Sequence, residues 1–412
     1  MRKIYILTAV ILLTAIGQRV TAQIDSTLFK RMPKPDSAKV TMNMDAVYNR
    51  PFLQVGRTPL GVGGYAEINT NYAATDGISE GLSFQMRRMT LFFGGSLHRK
   101  IKFMSELEFE DGTKEINIEF AAVDFQFSNL FNLRGGIIMN PIGSFNQNHD
   151  GPRWEFNDRP ISATQMLPAT FSNAGMGIYG KKYTRQWVFA YEAYLTNGFS
   201  GKIISNEDSR TFLPATKQDP DRFEESSNGK AMFTGKVAVR NRRIGELGLS
   251  YMGGIYNKFQ DDGFVLDKKR MVNVYAIDFN TTIRKTRTFI TAEWAWVKVD
   301  IPENHAVHFG RKQSGGFVDI VQPVFRKPLL GFPNSTFNVA CRLERVDWNV
   351  GDFAETGDKI YDEVYSIMPA ISWRPIPSTV IRFNYRIQRQ WDLLGNPPAR
   401  TGAIQLGISS YF

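Results

Sequence analysis

Val380-Ile-Arg-Phe-Asn-Tyr-Arg-Ile-Gln-Arg-Gln390 decides the fold class. In it Ile381, Phe383, Tyr385 and Ile387 alternate with Arg382, Asn384, Arg386 and Gln388. Successive side chains on a strand point to opposite faces, so this stretch has one apolar face and one strongly polar face. The pattern recurs. Phe103, Leu107 and Phe109 oppose Lys102, Glu106 and Glu108. Ile116, Ile118 and Phe120 oppose Asn117 and Glu119, while Val339, Cys341 and Leu343 oppose Arg342 and Glu344. About sixteen such segments follow one another over residues 61–412, about 22 residues for each strand with its connection. They begin near Gly61, Ser83, Ile101, Ile116, Asn132, Ala174, Trp187 and Ala231, then near Leu247, Val272, Thr288, Gly315, Thr336, Tyr365, Thr379 and Ala403. Turn residues fall between them, as at Gly112, Ser128-Asn129 and Asp261-Asp-Gly263. No helical stripe is long enough to compete.

The composition of the 412 residues, 42% hydrophobic, 13% aromatic and 22% charged, excludes a disordered chain. One long apolar run exists, Ile4–Ile16, which excludes a bundle of transmembrane helices. It follows Arg2 and Lys3 and precedes Val20-Thr-Ala22, the layout of a secretory signal cleaved near Ala22. Losing Arg2, Lys3 and Arg19 lowers the formal charge from +10 to +7. The chain is basic, with a pI near 9.5, but its cations alternate with apolar residues and form no phosphate-tracking runs. Nucleic acid is therefore not an expected partner. The single cysteine, Cys341, excludes an intrachain disulfide framework and lies on the apolar phase of its strand.

An exported chain of alternating strands is either a soluble sandwich or propeller, apolar face inward, or a membrane barrel, apolar face toward lipid. Arginine and glutamate in mid-strand favour the barrel, as do aromatics near strand ends such as Trp187, Trp294, Trp348, Trp373 and Trp391. So does the closing strand, Gly402-Ala-Ile-Gln-Leu-Gly-Ile-Ser-Ser-Tyr-Phe412. The reading is an all-β, transmembrane antiparallel β-barrel. Residues 1–22 form the signal, 23–60 a periplasmic or lumen segment, and 61–412 the barrel. Residues 23–60 alternate poorly and carry Pro33, Pro35 and Pro51, so either location suits them.

The closing strand resembles the terminal signal read by the outer-membrane insertion machinery, with Ser410 where an aromatic is common and Tyr411 beside it. A wider resemblance covers most of the chain. Phe84-Gln-Met-Arg-Arg-Met-Thr-Leu-Phe-Phe-Gly-Gly95 is followed by Ile101–Phe109 and Leu133-Arg-Gly-Gly-Ile-Ile-Met-Asn-Pro-Ile-Gly143. Then come Arg159-Pro160, Leu167-Pro-Ala-Thr-Phe171 and Gly175-Met-Gly177. In order and spacing these segments resemble the phosphate-selective porin O and P family of Gram-negative outer membranes. The resemblance implies a 16-stranded, homotrimeric porin bounded by outer-membrane lipid and lipopolysaccharide. It would pass small hydrophilic solutes, with phosphate or polyphosphate as candidates.

Residues 140–173 form a long connection without alternation, and such loops are usually functional. The resemblance folds this loop inward as a constriction. It carries His149, Asp150, Arg153, Trp154, Glu155, Asp158 and Arg159, stiffened by Pro141, Pro152, Pro160 and Pro168. Residues 198–230, a second long loop of mixed charge, read as extracellular. Candidate pore-lining cations are Arg88, Lys102, His149, Arg153, Arg159, Arg342, Arg382 and Arg386. Candidate lumen anions are Glu106, Glu108, Glu119, Glu192, Glu293 and Glu344. Rings of one sign bias permeation. With both signs present, facing rows would set up a transverse field, and the expectation is a weak preference for anions. A hydrophobic-substrate transporter with residues 23–60 as a hatch, or a plugged structural barrel, are the alternatives.

No catalytic residue, cofactor or metal is expected. Gly175-Met-Gly-Ile-Tyr-Gly180-Lys181-Lys182 nearly fits a phosphate loop, but Lys182 stands where Ser or Thr is needed and no helix follows. Its glycines read as a strand that bends or packs closely. His305 and His308 have Glu303 as their one near companion.

Overall fold

The computed structural model describes residues 42–48, 50, 60–112, 114–306 and 308–412. The expected signal at 1–22 and most of the 23–60 segment lie outside the described residues. Sixteen strands close into one antiparallel barrel. They are β1 (Gly61–Thr75), β2 (Ile78–His98), β3 (Ile101–Glu110), β4 (Glu115–Gln126), β5 (Asn132–Met139), β6 (Ser172–Tyr183), β7 (Trp187–Thr196), β8 (Met232–Asn241) and β9 (Gly245–Ile255). After a small outlying hairpin, β10 (Gln260–Asp261) with β11 (Phe264–Val265), the wall continues. Its remaining strands are β12 (Met271–Ile283), β13 (Thr288–Val299), β14 (Lys312–Arg326), β15 (Thr336–Asp347), β16 (Glu363–Arg374), β17 (Thr379–Gln390) and β18 (Ala399–Tyr411). Each barrel strand pairs with its sequence neighbours, and β1 pairs with β18 from Tyr65↔Tyr411 to Thr75↔Thr401. Closure leaves no unpaired edge, the condition a sheet must meet in hydrocarbon.

The period of two sorts the wall into two surfaces. Ile381, Phe383 and Tyr385 of β17 stand opposite Ile408, Leu406 and Ile404 of β18. All but Ile381 are exposed, and together they form part of an outer apolar band. Arg382, Asn384, Gln405 and Ser409, one residue out of phase, are buried inside. Cys341 keeps the outward phase between exposed Val339 and Leu343. Phe120 departs from the expected phase. A register shift between Glu106 and Leu107, where β3 meets β4, turns both Glu119 and Phe120 inward. The inserted residue of a bulge reverses the alternation beyond it.

The connections following β2, β4, β6, β8, β12, β14 and β16, all at one end, have two to nine residues. At the other end those following β5, β7, β9, β13 and β15 have 12 to 35, while those following β1, β3 and β17 have two, four and eight. Short turns face the periplasm in outer-membrane barrels. The two-residue link after β1 is tight because Asp76 and Gly77 take φ of 51° and 85°, the left-handed pair of a type I′ hairpin. The glycines of the phosphate-loop lookalike all lie within β6, where Cβ atoms at Gly175 and Gly177 would strike the backbone of β7. They permit close strand packing.

The loop of residues 197–231 is not simply external. Phe199, Ile203 and Leu213 are buried against Ile142, Met166, Leu167 and Phe171 of the β5–β6 loop. Val272, Val274, Val297 and Val299 of the wall join the same cluster. Apolar residues facing the barrel interior near the long-loop end gain partners from loop residues, which excludes water from both.

Candidate functional site

The β5–β6 loop, residues 140–171, reaches across the interior. Gly143 N–H donates to Ser250 Oγ at 3.0 Å. The amides of Ser144 and Phe145 donate to Glu293 Oε2 at 2.7 and 2.9 Å. Gln147 Nε2 donates to Glu192 Oε1 at 3.0 Å. On the opposite wall Asn157 N–H donates to Asn384 Oδ1 at 2.7 Å and Ile161 N–H to Glu344 Oε1 at 2.8 Å. The loop thus hydrogen-bonds to β7, β9, β13, β15 and β17. Gly143 has φ of 62°, and a Cβ there would collide with the Glu293 carboxylate, so glycine alone fits.

At the loop's centre is a buried ionic cluster. Arg50 Nη2 lies 2.7 Å from Glu106 Oε2 and 2.8 Å from Asp150 Oδ1, with its guanidinium 3.8 Å over the Phe92 ring. His149 Nε2 is 3.4 Å from Glu106 Oε1, and its Nδ1 is 2.8 Å from the Asn146 carbonyl. Burial opposes charging of the imidazole, but Glu106 and Asp150 outweigh it and raise its pKa above 6.5. Burial also opposes ionisation of Asp150, yet Arg50, Arg153 and His149 hold its carboxyl well below the usual carboxylate range. Among the described residues, Glu106, His149 and Asp150 are also the group with metal-ligand spacing, all ligand atoms within 4.8 Å. The Arg50 guanidinium already supplies the cation those carboxylates need.

The other candidates are distributed in ion pairs. Arg88 bridges Glu67 at 2.9 Å and Glu110 at 2.8 Å, and Arg159 approaches Glu108 at 3.4 Å. Arg342 grips Asp319 through two bonds of 2.7 Å and donates to the Asp158 carbonyl at 2.8 Å. Arg382 pairs with Glu67 and donates to the carbonyls of Gly151 and Trp154 at 2.9 Å. Arg386 lies 3.2 Å from Asp158. Arg153 donates to Tyr411 Oη at 3.0 Å and to the Ala46 carbonyl at 2.7 Å, and lies 3.5 Å from Asp150. Lys102 alone of the predicted cations makes no ion pair among the described residues. Lys102 apart, each of these cations lies within 4.0 Å of a carboxylate.

Of three further groups, the sequence left the place of the first open between periplasm and lumen and missed the other two. Residues 42–48 and 50 lie within the barrel: Asn43 N–H donates to Glu246 Oε1 at 3.1 Å, Asp45 pairs with Lys181, and Tyr48 packs on Phe120 at 5.3 Å. Arg134 sits 3.5 Å over the Tyr48 ring and is held by Asp124. No periodic signal marks that segment, since its partners are scattered over the wall. The third is a cavity of about 990 Å³ between residues 144–156 and the walls from β12 to β16. Glu155 and Asp319 line it but are paired with Arg374 and Arg342. Lys285, Arg287 and Arg326 also line it and have no carboxylate partner among the described residues. Their clustering near short turns was visible in the sequence only as a basic excess.

A family model described as phosphate-selective porin O and P matches residues 62–311. A curated relative, an uncharacterised protein of Aquifex aeolicus, is 29% identical over 222 residues, covering 52% of this chain and 47% of the relative. The chain therefore spans about half the length of the curated relative it matches. Among solved structures, the outer-membrane channel DcaP of Acinetobacter baumannii superposes with a TM-score of 0.54 at 13% identity, covering 87% of this chain and 99% of that one. An anion-selective porin from Comamonas acidovorans gives 0.53 at 13% identity, covering 86% and 99%. These structural likenesses concern the fold.

Proposed function

The chain belongs to the phosphate-selective porin O and P family of outer-membrane barrels, and from that premise we propose that it passes small hydrophilic solutes with a weak preference for anions. Members of this family are channels and not enzymes. The observation that carries the preference is the cavity of about 990 Å³ whose unneutralised charges, Lys285, Arg287 and Arg326, are all positive. Fixed charges of one sign along a wet path raise the local concentration of the opposite ion. The ionic ties of Arg342, Arg382, Arg386 and Arg159 have a different role in this reading. They hold residues 140–171 across the lumen as the constriction that sets the size limit. Phosphate and polyphosphate are the solute class to test first, in a homotrimer bounded by lipid and lipopolysaccharide.

The test is conductance of the full-length protein in planar bilayers under a salt gradient, with and without phosphate. A reversal potential displaced toward the anion side, and reduced displacement in R287Q/R326Q, supports the reading. A cation-side displacement overturns it. One observation favours a second reading, a plugged structural barrel: residues 42–48 and 50 and the apolar cluster of Ile142, Leu167, Phe199 and Leu213 occupy interior space. Absence of stepwise conductance from folded, heat-modifiable protein selects that reading instead.

A further inference from the structure

The two ends of the barrel carry opposite electrostatic character. At the short-turn end Arg99 and Lys100 join β2 to β3, Arg185 lies between β6 and β7, and Arg242 and Arg243 link β8 to β9. Arg284, Lys285 and Arg287 turn β12 into β13, and Lys327 follows β14. None of these turns, nor those after β4 and β16, contains an aspartate or glutamate. At the other end acidic residues dominate several loops. In 348–362, Asp352, Glu355, Asp358 and Asp362 stand against Lys359, and 391–398 holds Asp392 with no cation.

A second observation accompanies the first. Beside the basic turns stand exposed apolar side chains: Leu97 before Arg99, Trp187 after Arg185, Ile244 after Arg243, Ile283 before Arg284 and Leu330 after Lys327. Leu97 and Leu330 are 73% and 77% exposed. Arg99, Lys100, Arg185 and Arg243 are themselves exposed, lie off the cavity lining and make no ion pair among the described residues. An apolar side chain next to a cation, repeated around a rim at the hydrocarbon boundary, is the arrangement that engages a headgroup with one group and the acyl region with the other.

We propose that the short-turn rim binds anionic phospholipid headgroups of the periplasmic leaflet, the guanidinium and ammonium groups meeting phosphodiester oxygens while Leu97, Trp187, Ile244 and Leu330 enter the adjoining acyl layer. The match is one of charge and of shape. Clusters of Lys and Arg at a membrane surface recognise anionic lipid, and guanidinium forks fit phosphate oxygens in pairs. An acidic protein partner would require cations gathered into one patch, whereas these encircle the barrel on five separate turns. The inference is independent of what the lumen conducts.

The experiment uses the full-length protein folded into vesicles in which either the anionic or the zwitterionic phospholipid carries brominated acyl chains. Quenching of tryptophan, Trp187 included, then gives the relative affinity of the two lipids for the barrel surface. The expected result is a preference of about threefold or more for the anionic lipid at low salt, falling to about one in 1 M KCl, where the Debye length is about 3 Å. The same loss is expected in R99Q/K100Q/R185Q/R243Q. Equal quenching by both lipids in the native chain overturns the proposal. A preference that survives the four substitutions also overturns it. Should the substituted chain fail to fold, the salt series on the native chain decides.

Discussion

His149 is the residue whose protonation bears most directly on how the lumen loop is held. It faces Glu106 across 3.4 Å and Asp150 across 3.7 Å, with Arg50 opposing and Glu108 and Glu119 contributing from farther off. The carboxylates prevail, so the folded pKa lies above 6.5. A raised basic group adds stability that is complete below its unfolded pKa and disappears as pH climbs through the folded one. The native chain is therefore expected to exceed His149→Gln in stability at pH 5–6 by about 1.5–3 kcal/mol, the range for a hydrogen bond to a charged group. That gap should close as pH rises through the folded pKa. Thermal midpoints of both proteins across pH 5–9 check the sign; a gap that widens with pH contradicts it. Asp150 works the other way, its contribution vanishing only as strong acid protonates it.

The strand is the element at which period-two patterning acts, and β17 shows how far it reaches. Phe383 is 41% exposed on the outer band, while its neighbours Arg382 and Asn384 are buried inside. Placing a cation on the lipid face near mid-strand costs about 2–4 kcal/mol. Phe383→Arg should accordingly lower folding stability in lipid vesicles by that amount, measured by urea titration, while Phe383→Leu should lie within about 1.5 kcal/mol of the native chain. The same periodicity made the strands legible in the sequence, because each strand's environment repeats along its own length. It failed at Phe120, where one inserted residue shifts the phase. It was silent on Arg50, Arg134 and the inner face of residues 197–231. Their partners lie far away in sequence, as with Arg50 and Asp150 or Gln313 and Thr211, and leave no local pattern.

For the whole molecule the interior is a shared space, divided among the β5–β6 loop, residues 42–48 and 50, and a cavity on the β12–β16 side. Asn43, Ala46 and Arg50 tie the N-terminal segment to the wall and to Arg153 and Asp150 of the loop. Deleting residues 42–50 removes side chains that exclude water from that half, and single-channel conductance is expected to rise, with larger neutral sugars admitted in swelling assays. Unchanged conductance would place the limiting cross-section elsewhere. The loop's many anchors also order events in time. Arg153 meets Tyr411, Asn157 meets Asn384 and Arg382 meets the Gly151 carbonyl, pairs that span most of the chain. Such contacts cannot form until β17 and β18 have come round to β1, and high contact order slows folding. The loop is thus the last large piece to settle, and its docking requires a finished barrel: a chain that closes with one strand out of register has nowhere to seat it.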